Sequence, residues 1–173
     1  ATAQRVWATN LGGDSDDYPL GLTTDANNNF YVIAAGDNYS GTNPGFVKLD
    51  AGGGAYYDDM LGNGFGGSST DRYDLLLYKF NAPSAMVWGT AFGGTDNEGN
   101  NLGSLSVDNN GNLFVLAGTR STDLPVVNPG GGAYYEATKQ ASGDGYFFAR
   151  FNSSLQLNWC SYFGGNGSGT LRG

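Results

Sequence analysis

The sequence predicts an all-β fold of tandem four-stranded antiparallel units, and three observations carry that prediction. The first is a motif that occurs three times, VWATNLGG at 6–13, VWGTAFGG at 87–94 and NWCSYFGG at 158–165. The second is a set of motifs that occur twice in the same order between those markers: DANNNFYVIA at 25–34 and DNNGNLFVLA at 108–117, GGGAYY at 52–57 and 130–135, LLLYKFN at 75–81 and YFFARFN at 146–152. The third is a composition of 30 Gly, 11 Tyr and 10 Phe with only 14% charged residues. That composition is too aromatic and too weakly charged for a disordered chain, and it suits short strands joined by turns where Gly and Asn supply positive φ.

Taken in order, each unit opens on a strand around GLTTD at 21–25 or SLSVD at 104–108. A tight turn follows, and Asn110-Gly111 between apolar segments is a hairpin signal with positive φ at both central positions, replaced by Asn28-Asn29 in the first unit. The second strand is FYVIA or LFVLA. After the glycine-rich GGGAYY connection comes LLLYKF or YFFARF, and the Trp motif closes the unit.

Self-similarity at this period means a repeat architecture. Four short antiparallel strands per unit, with glycine and aromatic signatures, fit a propeller blade best, with an irregular β-solenoid or a sandwich as alternatives. The divisions are 1–13, a leading Trp strand completing a neighbouring blade; 14–94, the first unit; 95–165, the second; and 166–173, a Gly/Ser-rich tail or link. The spacing drifts between matched motifs, which places the length differences in loops.

Composition also excludes function classes. A net charge of −8 argues against a nucleic-acid partner, which needs clustered Lys and Arg. No apolar run approaches the roughly 20 residues of a membrane-spanning helix. The absence of His removes histidine triads and histidine metal sites. Cys160, the single cysteine, aligns with Ala8 and Gly89 and reads as a small buried hydrophobe.

The ordered motifs resemble the bacterial β-propeller repeat family abbreviated SBBP. The resemblance rests on W-x-T-x-Φ-GG, on Asp-x-x-Gly-Asn-Φ-Φ-V-x-x-G at 108–118, on S-x-D-Φ-P at 121–125 and on Φ-Φ-x-K/R-Φ-N at 147–152. The first unit lacks a counterpart of 121–125 and carries a longer glycine-rich stretch at 58–71. The resemblance implies a secreted or cell-surface bacterial protein without a shared catalytic site. Two units cannot close a ring of four to eight blades.

The leading expectation is therefore a non-catalytic structural module that self-assembles, its open ends paired with further repeats of the same chain or with other copies, as in a filament. An adhesive propeller binding surface glycans or proteins is the alternative, with Tyr56, Tyr57, Tyr134 and Tyr135 as its aromatic platform. A carboxylate-based glycosidase or lyase is a third, drawing on Asp14, Asp16, Asp17, Asp96 and Glu98 after the Gly pairs. No catalytic residue and no cofactor are expected. Asp25, Asn27, Asn29 and Asp108, Asn110, Asn112 place oxygens at alternate positions as calcium loops do, but they are explained by turn chemistry alone. Trp7, Trp88, Trp159 and the pairs Gly12-Gly13, Gly93-Gly94, Gly164-Gly165 are structural markers, the tryptophans placed in core or between units. Formal glycosylation sequons begin at Asn38, Asn152 and Asn166.

Overall fold

The strand motifs place apolar residues at alternate positions, which turns a face of each strand to a core, and in LLLYKF both faces are apolar and buried. The computed structural model describes residues 7–13, 16–37, 45–59, 73–82, 84–140 and 143–164. Asp14, Gly165, the tail at 166–173, most of the 58–71 stretch and the sequons at Asn38 and Asn166 lie outside them.

The chain is all-β. Strands β1 (Asp17–Thr24), β2 (Phe30–Asp37), β3 (Tyr73–Phe80) and β4 (Met86–Phe92) form one antiparallel sheet in sequence order. Strands β5 (Glu98–Val107), β6 (Leu113–Thr119), β7 (Gly145–Phe151) and β8 (Leu157–Phe163) form the second, again in order. The eight strands fall where the repeated motifs predict.

The registers repeat as well. Tyr31 faces Lys79 and Lys79 faces Trp88 in the first sheet, as Phe114 faces Arg150 and Arg150 faces Trp159 in the second. Even the cation stacked on the ring recurs, Lys79 over Tyr31 and Arg150 over Phe114.

The main core lies between the sheets. Leu75, Leu77, Trp88 and Phe92 of the first meet Leu113, Val115, Phe147 and Phe151 of the second, all buried. A second cluster, Phe46, Leu76, Tyr78, Phe80 and Ala91, occupies the other face of the first sheet.

One expectation is corrected. The β1–β2 and β5–β6 turns are not two-residue turns with positive φ at both centres. Gly111 N–H donates to the Asp108 carbonyl and Asp108 N–H to the Asn112 carbonyl, which closes a three-residue loop. Only its last residue has positive φ, Gly111 at 78° and Asn28, its counterpart, at 61°. Gly111→Val is expected to cost about 1–2 kcal/mol in urea unfolding and Gly111→Asn close to nothing, because Asn tolerates the left-handed region that β-branched residues avoid. Equal costs for the two would show that φ is not the constraint.

Residues 7–13 form no ladder among the described residues. The sheet edges at β4 and β8 are partly covered. The connections that carry GGGAYY run along the outer edges of β4 and β8, bridging Leu49 to Gly89 and Val127 to Cys160. Addition of a foreign strand at those two edges is obstructed by the chain itself.

Candidate functional site

The surface between the two sheets is the best-built feature of the molecule, and its parts are the repeat markers. Trp88 is fully buried, its ring 5.6 Å from Phe151 across the junction and its indole N–H donating to the Tyr56 carbonyl at 2.8 Å. Phe92 stacks on Phe147 at 5.4 Å, and Tyr56 packs edge-on to Phe151 at 5.8 Å. The Tyr56 N–H donates to the Leu155 carbonyl at 2.8 Å, so a backbone bond joins the units beside the aromatic cluster.

Position by position, the same arrangement appears on the two outer faces. On the first unit, Trp7 lies edge-on to Phe30 at 5.6 Å and to Phe80 at 5.7 Å, and Leu11 packs on the cluster behind them. Trp7 thus takes the Trp88 position, Leu11 that of Phe92, and Phe80 that of Phe151. On the second unit, Trp159 donates its indole N–H to the Tyr134 carbonyl at 3.0 Å and stacks on Phe148. Among the described residues no further unit covers this face: Tyr134 is 51% and Phe163 46% exposed, whereas Phe92 is 0%.

The predicted four-tyrosine platform is not assembled. Tyr56 is spent between the sheets, and Tyr134 occupies its equivalent on the far side of the second sheet. Tyr57 is exposed and Tyr135 half-buried. Burial raises the Tyr56 hydroxyl pKa well above its ordinary value, with the charges of Asp58, Cys160 and Asp74 adding to it.

The Gly pairs have a chemical reason. Gly94 N–H donates to Glu98 Oε2 at 2.9 Å, as Gly13 N–H does to Asp17 Oδ2 at 2.7 Å. An added Cβ at Gly93 would meet Asp74 Oδ1 at 2.4 Å and Glu98 Oε2 at 2.5 Å, and at Gly12 it would meet Asp17 Oδ2 at 2.2 Å. The first glycine lets a carboxyl group press against the backbone; the second supplies the amide that holds it.

Glu98 is fully buried and Asp74, from the first sheet, nearly so. Glu98 accepts from Thr119 Oγ1 at 2.6 Å and is hydrogen-bonded to the Asp74 carboxyl, a pairing that requires a proton between them. Desolvation raises the Glu98 pKa, against hydrogen bonds from Thr119, Gly94, Ser121 and Asp74 that pull it down. Burial also raises the pKa of Asp17, in the equivalent position, against the Gly13 amide. Sequence reasoning grouped Glu98 with Asp96 and missed Asp74. Asp96 is exposed, as is Asp16. Two hydrogen-bonded, buried carboxyls leave no room for a sugar ring between them, unlike the carboxyls that flank a glycosidic bond.

Residues 121–125 strap the same junction. Ser121 Oγ accepts from the Asp96 amide at 2.8 Å, Asp123 Oδ1 from Thr95 at 2.9 Å, and Leu124 enters the core. In the first unit, which lacks this motif, Phe46 fills the place of Leu124.

The calcium candidates are turn residues. Asp25 Oδ1 accepts from the Asn27 and Asn29 amides and Oδ2 from the Asn29 side chain and Tyr31 hydroxyl. Asp108 repeats this with Asn110 and Asn112. Burial works to raise the Asp25 pKa, but these hydrogen bonds outweigh it; at Asp108 those from Asn112 lead, and both carboxyls end below their usual range. The oxygens face N–H donors rather than one another, which is not how calcium is ligated. Among the described residues no group of three or more acidic or cysteine side chains is placed to hold a metal. Asn152, the described sequon, makes the same kind of turn, accepting from Ser154 and Gln156 amides. Cys160 is buried, and burial pushes its thiol up to about 12, far from a reactive thiolate.

No protein-family model matches the chain, and no curated protein matches it. The likeness to the SBBP repeat therefore rests on the quoted motifs. Among the described residues no helix is long and apolar enough to cross a membrane.

Proposed function

We propose that the chain is a non-catalytic structural module of an extracellular or cell-surface assembly, built of blade-like units that pack face to face with further units. One observation carries the reading: Trp159, Phe163 and Tyr134 on the second unit repeat Trp88, Phe92 and Tyr56, which the first unit buries against its neighbour. Apolar rings at the same positions, packed at one junction and half-buried (Trp159) or exposed (Tyr134, Phe163) at the next, are the pattern of a stack with a place for another unit. The SBBP likeness supports the same reading and adds the bacterial surface setting. The absence of His, the closed Glu98–Asp74 pair and the buried Cys160 support a role without catalysis.

The test is a longer chain in which a second copy of residues 95–165 follows Gly165. The added unit presents Phe147 and Phe151 to Trp159 and Phe163, so unfolding is expected to remain cooperative with a higher Tm, and Trp159 emission to shift to the blue. An appended unit that unfolds separately, leaving Trp159 solvent-exposed, overturns the stacking reading. Turnover of a polysaccharide by the purified chain overturns its non-catalytic part.

A further inference from the structure

The two glycine-rich connections share one conformation but not one environment. In each, three consecutive glycines carry the chain through the left-handed region, Gly52, Gly53 and Gly54 at φ 71°, 62° and 81°, and Gly130, Gly131 and Gly132 at 74°, 65° and 79°. The edges they lead into are built alike. Asp58 N–H donates to Thr90 Oγ1 at 2.7 Å and Glu136 N–H to Ser161 Oγ at 2.8 Å, while the indoles of Trp88 and Trp159 close on the Tyr56 and Tyr134 carbonyls. Among the described residues only the first edge carries a partner, the turn at 152–156 between β7 and β8. The Leu155 carbonyl accepts from the Tyr56 N–H, and Gln156 Nε2 reaches the Gly53 carbonyl at 3.4 Å. A Cβ added at Gly54 would meet Gln156 Nε2 at 3.1 Å, whereas at Gly130, Gly131 or Gly132 it would meet none of the described residues within 4 Å.

The seated turn breaks a local rule. Leu155 has φ 63°, in the region that leucine avoids and that Gly111 and Asn28 occupy in the turns before β6 and β2. Its side chain is only 5% exposed, inside the core on which Ala55 and Tyr56 pack. Such an outlier persists where the surrounding structure offsets its strain. Asn152 orients the rest of the turn: it accepts from the Ser154 and Gln156 amides and donates to Gln156 Oε1, which leaves Gln156 Nε2 for the glycine turn. In the first unit the corresponding turn has Ser84 and Ala85 in place of Leu155 and Gln156, with the Asn81 N–H bonded to the Ala85 carbonyl as the Asn152 N–H is to that of Gln156.

We infer that Leu155, helped by Gln156, determines which unit can seat on a Trp-bearing face, and that the face of Tyr134, Trp159 and Phe163 selects a unit of the second kind, with an apolar residue at the Leu155 place, over one of the first kind. The inference rests on the stacking reading above and specifies its partner. The hydrogen bonds that shape the receiving edge are made before a unit arrives, so docking orders little there and selectivity falls on the turn. A leucine buried at this place is worth about ten- to a hundredfold in docking over a serine.

The experiment extends the chain by one unit after Gly165, either a second copy of 95–165 or that copy carrying Leu155→Ser and Gln156→Ala, the residues of the first unit. Hydrogen exchange at the Tyr134 amide is read by NMR, with circular dichroism as the check on folding. The unaltered copy is expected to slow Tyr134 exchange toward that of Tyr56, and the altered copy to lose about ten- to a hundredfold of that protection. Equal protection by both copies overturns the inference and leaves the stacking reading standing, whereas no protection by either removes both. If the altered unit does not fold, Leu155→Ala in the 173-residue chain decides. Exchange at Tyr56 is then expected to rise by about tenfold more than at Ile33 in the middle of the first sheet, and an equal rise at the two amides overturns the inference.

Discussion

Trp88→Ala is expected to cost about 3–5 kcal/mol, the range for emptying a buried aromatic site that cannot collapse. It also strips the Tyr56 carbonyl of its indole donor, which adds about 1 kcal/mol. Against a total stability of about 5–15 kcal/mol for an ordinary domain, that change removes a large share. Trp7→Ala and Trp159→Ala delete the same side chain from the same motif, yet each is expected to cost only about 1 kcal/mol, because both rings are already part exposed. Chemical denaturation of the three variants checks this directly. Three equal losses would mean that the tryptophans stabilise their own sheets rather than the junction between them.

The second large effect is on pH dependence. Glu98 has a folded pKa raised above its unfolded value of about 4.3, so the folded state holds its proton more tightly. That contribution is fully present below the unfolded value and is lost as pH rises through the folded one. Asp25 and Asp108 run the other way: their lowered pKa values give stability present above about 3.9 and lost as pH falls through the folded values. Repulsion within a chain of net charge −8 also eases on acidification. Melting temperature is therefore expected to peak on the mildly acidic side and to decline toward pH 8. Asp74→Asn supplies an amide donor to an ionised Glu98 in place of a competing carboxyl. It is expected to flatten that decline and to stabilise the chain near pH 8 by about 1–3 kcal/mol. A parallel drop in stability across the whole pH range would show instead that Asp74 is needed as a carboxyl for other contacts.

The strands were readable in the sequence because each repeats an alternating apolar pattern under the same solvent and packing constraints. Their order in the sheets followed from short connections. The junction was half readable. Recurrence of Trp88 pointed to packing, and the position of Glu98 after a Gly pair marked it as notable, but its partner was hidden. Asp74 sits in a strand motif whose second copy has Gly145 at that place, so comparison of the repeats gives no signal for it. Residues 7–13 carry the same motif without a ladder among the described residues, whereas in the other two copies β3 or β7 lies alongside. Hydrogen-bonded partners make a strand, and local sequence does not supply them. GGGAYY was legible as a connection, whereas its course along the sheet edge depends on bridges between Leu49 and Gly89 and between Val127 and Cys160, which no local pattern specifies.

Those covered edges, together with Pro19 and the register shifts in β1 and between Glu98 and Gly103 in β5, leave little room for extending either sheet sideways. Any fibre made of these units would have to lengthen by piling sheets on one another. Its diffraction would then be governed by the spacing between faces, about 10 Å, and would lack the strong axial reflection near 4.7 Å of cross-β fibrils. By the same token it would be an ordered polymer of folded domains, dissolved by conditions that unfold the units.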